Sequence, residues 1–135
     1  MLHVFSGDTP NFIEIYDTAT ADASKTLTPS GNVIDGNGGL NYAPITFVPI
    51  ETGIINQATP TFTYNIIGSV LAGTDISAVI SQTDAQSLIA GEFSYNPQSG
   101  TVSSSSPLIL QITFTPTDLT NYSTVTKTST NSVSN

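Results

Sequence analysis

Histidine, serine and carboxylate side chains are the groups in this chain that could perform hydrolytic chemistry. A Ser-His-Asp arrangement needs an oriented histidine in a pocket, and the single histidine, His3, lies two residues from the N-terminus. We therefore expect His3 to have an ordinary surface role. The ten acidic residues are scattered along the chain, and no pair of them stands out as a glycosidase pair. The sequence predicts a protein that is not an enzyme.

A glycine-rich stretch, Asp35–Gly39, has a faint similarity to a calcium-binding loop. Such a loop needs regularly spaced carboxylates and a closing bidentate glutamate, whereas position 46 is Thr46. A phosphate-binding loop needs a following lysine and a helix, and neither is indicated here. We predict a flexible or hairpin loop here, because Asn-Gly and Asp-Gly pairs are typical of tight hairpins. Since the chain also has no cysteine, we predict no metal site and no cofactor.

The charge of the chain limits its partners. Lys25 and Lys127 stand against ten acidic residues, there is no arginine, and the formal net charge is -8. Nucleic acids and anionic membranes are bound by clustered basic side chains, so neither is a predicted partner. No apolar run approaches the roughly 18 residues of a membrane span, and the N-terminus lacks the features of a secretory signal. A protein or a neutral glycan remains as a partner.

The elements that would carry a site are predicted to be strands. Charged residues make up 9% of the chain, and threonine, serine and asparagine take their place. β-Branched threonine suits a pleated sheet, so the composition favours an all-β fold. The clearest strands lie within Gly91–Tyr122, where two groups of residues each share one face: Phe93 and Tyr95, then Leu108, Leu110, Ile112 and Phe114. This period of two is typical of half-buried antiparallel strands.

Residues 1–57 are predicted to form a small, β-rich and partly extended N-terminal region. Phe12–Tyr16 and Val33–Ile34 are strand candidates, and Pro29–Gly31 is a predicted turn. This region is expected to make the contacts of assembly.

An apolar arm, Tyr42–Ile50, closes the N-terminal region. Pro44 and Pro49 cannot donate to a strand ladder, so Ile45–Val48 is predicted to be an edge strand or an arm lying on a surface. Because this segment is so apolar, it must pack on its own domain or on a partner. The predicted partner-contact residues are Tyr42, Ile45, Phe47, Val48 and Ile50.

Residues 58–135 are predicted to form a second β-rich domain. Ile76–Ile80 is predicted to be a short strand, and Thr83–Ala90 has room for one helical turn. Strands separated by turns every 8–12 residues suggest a sandwich.

Four segments of this second domain follow one another in a recognisable order: TPTFTY (residues 59–64), Ala72–Thr74, GEFSYNPQSGTV (91–102) and LQITFTPTDLTNYSTVTKT (110–128). Together they resemble the bacterial Ig-like repeats of the MBG type, over roughly residues 59–128. The resemblance implies an Ig-like β-sandwich that serves as a structural or interaction module without catalysis.

Two features at the end of this domain have structural consequences. Tyr122 follows a corner and opens a strand, a position that suits a tyrosine corner, in which the hydroxyl reaches an upstream backbone group. The last strand departs from the family pattern, because small or polar residues stand where large apolar ones are usual: Thr128, Thr130 and Ser132. We expect this strand to be weak, and to fray or pair with a neighbouring chain.

As a whole, the chain resembles a phage capsid decoration, or cement, protein. In this interpretation residues 1–57 bind the capsid lattice or trimerise, and residues 59–130 project or brace. The expected partners are the major capsid protein and copies of the chain, which would form a homo-oligomer on the virion surface. The alternatives are a small head or tail appendage of the virion, an extracellular bacterial Ig-like adhesin or surface-layer repeat, and a carbohydrate-binding module. The step from fold to any of these functions is one of analogy.

Overall fold

The computed structural model describes residues 4–135, so His3 lies outside the described residues. Regular structure in this part of the chain is mostly β, in several sheets, with one short helix. The all-β prediction is confirmed at this level. The chain divides into two compact units, Met1–Asn56 and Gln57–Asn135, which we call unit 1 and unit 2.

Unit 1 is built on a three-stranded antiparallel sheet in the order β1-β2-β3. The strands are β1 (Thr9–Tyr16), β2 (Asp22–Ile34) and β3 (Ile50–Ile55). β1 and β2 pair without interruption, from Thr9 opposite Ile34 to Tyr16 opposite Leu27. β3 pairs with the first half of β2 alone, and its register shifts at two places.

β2 continues through Pro29–Gly31, where the sequence predicts a turn. The last pair between β2 and β3 is Leu27 with Ile50, so Pro29 falls where one side of β2 has no partner strand. Gly31 has a φ of +137°, and a Cβ there would lie 2.1 Å from the carbonyl oxygen of Asn11. Glycine is therefore required for β1 to approach β2 this closely. The predicted turn is wrong because both residues are compatible with this strand.

Residues 35–49 connect β2 to β3 and contain no strand. The Asp35 carboxylate holds the start of this connection, since it accepts hydrogen bonds from the backbone N–H groups of Gly39 (2.7 Å), Asn37 (2.8 Å) and Asn41 (3.0 Å). These hydrogen bonds, the one from Gly39 first, lower the pKa of Asp35. The glycine-rich stretch is thus a carboxylate-capped turn within a longer connection. The predicted loop is confirmed, and the tight-hairpin form of it is wrong.

Unit 2 contains a four-stranded sheet in the order β5-β9-β8-β7 and a two-stranded sheet of β4 and β6. Its elements are β4 (Phe62–Thr63), β5 (Ser69–Leu71), α1 (Ile76–Thr83), β6 (Gln86–Ser87), β7 (Gly91–Asn96), β8 (Leu108–Pro116) and β9 (Val125–Ser134). β5 runs parallel to β9, and the remaining neighbours are antiparallel.

β8 supplies the largest share of the unit 2 core. The face predicted from its alternation is buried, through Leu108, Leu110, Ile112 and Phe114. Ile109, which points the other way, is 55% exposed. The prediction of a half-buried antiparallel strand is confirmed here.

Phe62 of the short strand β4 packs on the aromatic part of this core. Its ring centroid lies 5.3 Å from that of Phe93 on β7 and 6.4 Å from that of Phe114 on β8. The Phe93 and Phe114 rings are 5.0 Å apart. The two-stranded sheet therefore packs on the four-stranded sheet through Phe62, and these aromatic residues belong to the core.

The helix α1 occupies the segment predicted to be a strand, Ile76–Ile80. Asp75 caps its N-terminus by accepting a hydrogen bond from the Ser77 N–H at 2.8 Å. The buried positions Ile76, Val79 and Thr83 have the spacing of a helix. The strand prediction is wrong because it overlooked this cap and spacing. The predicted helical turn further on is also wrong, since β6 lies there.

β9, which the sequence predicts to be weak, is an inner strand between β8 and β5. Its buried positions are Ser129 and Asn131. Thr128, Thr130 and Ser132, which the family pattern places at the large apolar positions, are exposed instead, so that assignment of the inward face is wrong. The Asn131 Nδ2 atom donates to the carbonyl oxygen of Leu108 at 3.4 Å, and its Oδ1 atom accepts from the Ser129 hydroxyl at 3.4 Å. The prediction of a fraying strand is wrong, because buried polar side chains are tolerated where they are hydrogen-bonded.

Candidate functional site

Unit 1 buries very little of its own hydrophobic surface. Among residues 4–56, Val33 (1% exposed) is the one buried hydrophobic side chain, and Lys25 is the other buried residue. Ten large hydrophobic side chains of the same part are exposed: Phe5, Phe12, Ile13, Ile15, Tyr16, Ile34, Leu40, Val48, Ile50 and Ile54. A small sheet needs a covered hydrophobic face to be stable, and exposed hydrophobic patches mark interaction sites. Unit 1 is therefore the candidate functional site, as an assembly surface.

One face of the unit 1 sheet, the arm face, is partly covered by the arm. The register places four β1 residues on the same face as the buried Val33: Pro10, Phe12, Glu14 and Tyr16. Phe47 of the arm meets Phe12 edge to face, with ring centroids 6.1 Å apart. β1, Pro29 and the arm line an open groove of about 520 Å³. Because residues 43–49 contain no strand, the predicted surface arm is correct and the predicted edge strand is wrong.

The five predicted partner-contact residues divide into two groups. Tyr42, Ile45 and Phe47 are half-buried. Val48 and Ile50 are 71% and 51% exposed. Since the first three already use much of their surface within unit 1, Val48 and Ile50 are the members of the set that offer most apolar area to a partner.

Tyr42 joins the loop before β1 to the connection after β2. Its hydroxyl donates a hydrogen bond to the Asp8 carboxylate (2.6 Å) and accepts one from the Phe5 N–H (3.1 Å). Its ring centroid lies 6.2 Å from that of Phe5. The hydrogen bond to Asp8 raises the pKa of Tyr42, because it is made by the protonated hydroxyl. In the structure this residue therefore holds two loops of unit 1 together.

Both lysines are engaged inside their own units. The Lys25 Nζ atom donates to the Thr18 hydroxyl and lies 3.8 Å from an Asp17 carboxylate oxygen. The Lys127 Nζ atom donates to the carbonyl oxygen of Phe62 and lies 4.6 Å from the centroid of its ring. Side-chain charge available to a partner from residues 4–135 is therefore mainly negative.

Tyr122, the predicted tyrosine corner, is half-buried at a short parallel bridge to Ala58. The bridge is made by backbone groups, since the Ser123 N–H donates to the carbonyl oxygen of Ala58 at 3.0 Å. The Tyr122 N–H donates to the carbonyl oxygen of Asp118 at 3.1 Å. These bonds of the backbone hold the corner, while the hydroxyl contact that defines a tyrosine corner stays a prediction.

The acidic side chains whose pKa values are shifted have structural roles. Hydrogen bonds from Ser77 lower the pKa of Asp75, and hydrogen bonds from Asn121 lower that of Asp118. Asp75 caps α1, and Asp118 caps the turn that follows β8. Within residues 4–135, no three histidine, cysteine or acidic side chains are placed to hold a metal ion.

Across the same range, no helix combines the length and apolarity that a membrane crossing requires. No family model, curated protein or solved structure matches this chain.

Proposed function

We propose that the protein is a non-catalytic virion structural protein, a phage capsid decoration or cement protein that binds and braces the capsid surface. The observation that carries the proposal is the imbalance in unit 1, where one hydrophobic side chain is buried and ten large ones are exposed among residues 4–56. A unit of this kind gains its stability from what covers it. The resemblance of the whole chain to capsid decoration proteins points to a capsid as that cover.

In this proposal unit 2 is an Ig-like β-sandwich that projects from the particle or braces its surface. The resemblance of residues 59–128 to MBG-type repeats supports this architecture, and so does the packing of Phe62 between the two sheets of the unit. Its aromatic residues are used in the core, which leaves fewer of them for a glycan platform. This favours a structural module over a carbohydrate-binding one.

The capsid contact is assigned to the exposed end of the arm. Val48 and Ile50 offer apolar area there, and the acidic excess of the chain favours a capsid surface that presents basic side chains. Both lysines have partners within their own units, so little positive charge of the chain opposes this attraction. The major capsid protein is the expected partner.

Copurification tests the proposal. Phage particles are purified by density-gradient centrifugation from the culture in which the chain is naturally produced. Mass spectrometry then shows which fractions contain the chain. We expect it to sediment with the major capsid protein in many copies per particle. Its confinement to cell-envelope fractions would overturn the proposal in favour of an adhesin, and its absence from all particles would overturn it as well.

A variant pair locates the contact. Capsids stripped of the chain are incubated with the purified protein carrying both Val48→Glu and Ile50→Glu, and binding is compared with that of Ile109→Glu. Ile109 has a similar exposure, 55%, but lies in unit 2. We expect the arm variant to lose binding and the unit 2 variant to keep it. Equal binding by both variants would contradict the assignment of the contact to the arm.

A further inference from the structure

On β1 and β2, the face of the unit 1 sheet opposite the arm face is exposed along its whole length. Side chains on directly opposed residues of β1 and β2 share a face, and the register from Thr9–Ile34 to Ile15–Thr28 defines this one. We call it the isoleucine face. Its members are Ile13, Ile15 and Ile34, with Thr9, Asn11, Thr28, Ser30 and Asn32 between them, all exposed.

The apolar area on this face comes from three isoleucines. Ile13 is 53% exposed, Ile15 is 58% exposed and Ile34 is 56% exposed. The same side chains in the core of a β-sandwich would be buried between two sheets packed about 10 Å apart. The isoleucine face therefore has the form of one half of such a sandwich.

None of these eight residues of β1 and β2 is charged, although the chain has ten acidic ones. Glu14, the one acidic residue of β1, belongs to the arm face because it alternates with Ile13 and Ile15. A basic partner would find no carboxylate here to pair with. A second copy of the same face would bring isoleucine and threonine against isoleucine and threonine, with no like charges opposed.

We infer that the isoleucine face binds the isoleucine face of a second copy of this chain, across a two-fold axis, and so completes a two-layer sandwich between subunits. The inference deepens the proposed function, because it names the surface by which neighbouring copies associate on the particle. It rests on the proposed function for that location, the virion surface.

The size of the face sets the expected strength of the contact. Eight paired residues on two strands make a ribbon of roughly 26 by 10 Å. The area of this ribbon, roughly 260 Å², is well below the ~800 Å² that each partner buries in a stable complex. The pairing is therefore weak in solution and becomes effective where copies are held close together, as on a capsid lattice.

Sedimentation equilibrium of the purified full chain tests the inference, from about 10 μM to about 1 mM, the range of weak complexes. We expect a monomer–dimer equilibrium. Ile15→Asp places a carboxylate from each copy at the interface and should weaken association about a hundredfold, since opposed like charges cost several kcal/mol. Ile15→Lys should do the same, and a mixture of the two variants should associate again. Ile109→Asp, at a similarly exposed position of unit 2, should leave the dimer unchanged.

A cysteine crosslink keeps the test decisive if the charged variants fail to fold. The chain has no cysteine, so Ser30→Cys on the isoleucine face and Ser105→Cys in unit 2 give single thiols at exposed sites. A short bis-maleimide should yield a covalent dimer with the first variant and not with the second. A monomer at every concentration, with no crosslink through position 30, would overturn the inference.

Association that survives Ile15→Asp would also overturn it, because another surface would then be responsible. These measurements use free protein, so they are independent of particle binding. Dimers that form through position 30 without binding to capsids would contradict the proposed function and leave the inference standing. Capsid binding by a chain that never forms dimers would support the proposed function and contradict the inference.

Discussion

Replacing Phe62 by alanine should remove a large part of the stability of unit 2. Phe62 is 2% exposed, and its ring centroid lies within 6.4 Å of those of Phe93 and Phe114. Truncation of a buried phenylalanine to alanine costs about 3–5 kcal/mol. A unit of the size of Gln57–Asn135 has a total free energy of unfolding of about 4–12 kcal/mol. The loss is therefore a quarter of that stability or more.

Urea unfolding followed by far-UV circular dichroism measures this loss, and hydrogen exchange of the β8 amides assigns it to unit 2. With an m value of about 1 kcal/mol/M for a unit this small, the midpoint should fall by about 3 M or more. Phe62→Leu keeps most of the apolar volume and should cost less than about 1.5 kcal/mol. Leu88→Ala is the matched control, because Leu88 directly follows the partner strand β6 and is fully exposed; it should change stability by less than about 0.5 kcal/mol.

The comparison between Phe62→Ala and Leu88→Ala decides whether Phe62 joins the two sheets. If the two variants shift the midpoint equally, or if Phe62→Ala costs less than about 1 kcal/mol, the short sheet does not depend on this ring. The packing of β4 on the four-stranded sheet would then be of little energetic importance.

Four further outcomes are expected. Asn131→Ala should cost about 1–3 kcal/mol, because it leaves buried polar partners unsatisfied, whereas Thr130→Ala, exposed on the same strand, should be nearly neutral in urea unfolding. Gly31→Ala should destabilise unit 1, since the added Cβ would meet backbone at 2.1 Å; slower-exchanging β1 amides in the variant would contradict this. The raised pKa of Tyr42 means that the fold favours the protonated hydroxyl, so its contribution to stability is complete below pH 10 and is lost as the pH rises through the raised value. Ultraviolet titration of the wild type and of Tyr42→Phe should therefore show that the tyrosine lost in the variant ionises at a higher pH than an ordinary tyrosine. Protease should cut the free chain within residues 1–57 and spare this region on the particle; equal resistance in both states would count against its role in assembly.

The parts of the fold that were predictable from sequence are those where the hydrophobic pattern fits either a strand or a helix, but not both. The alternation from Leu108 to Phe114 predicts β8 and its buried face. At Ile76–Ile80 the same apolar residues fit a strand or a helix, and the Asp75 cap decides the outcome. The inner position of β9 escaped prediction because its two buried positions, Ser129 and Asn131, are polar in type. Their suitability depends on hydrogen bonds that arise only in the folded sheet.

The candidate site was predictable in region but not in detail. The apolar character of the arm indicates that it must be covered. That Phe47 contacts Phe12 of its own unit does not follow from the sequence. Alternation separates Ile13 and Ile15 from Phe12 and Tyr16, yet both faces of such a strand are apolar. Which face stays open depends on where the connection of residues 35–49 lies, and that is a tertiary property.

The parallel pairing of β5 with β9 also determines how late in synthesis unit 2 can complete its four-stranded sheet. About 60 residues separate Ser69 from its partner Ser132, and a ribosome takes about 3–12 s to add them at typical rates. The β7–β8 hairpin can pair during that interval, because its partners are close in sequence. β5 must wait for β9, and the edge of β8 that pairs with β9 stays unpaired on the nascent chain until residues 125–134 have left the ribosome.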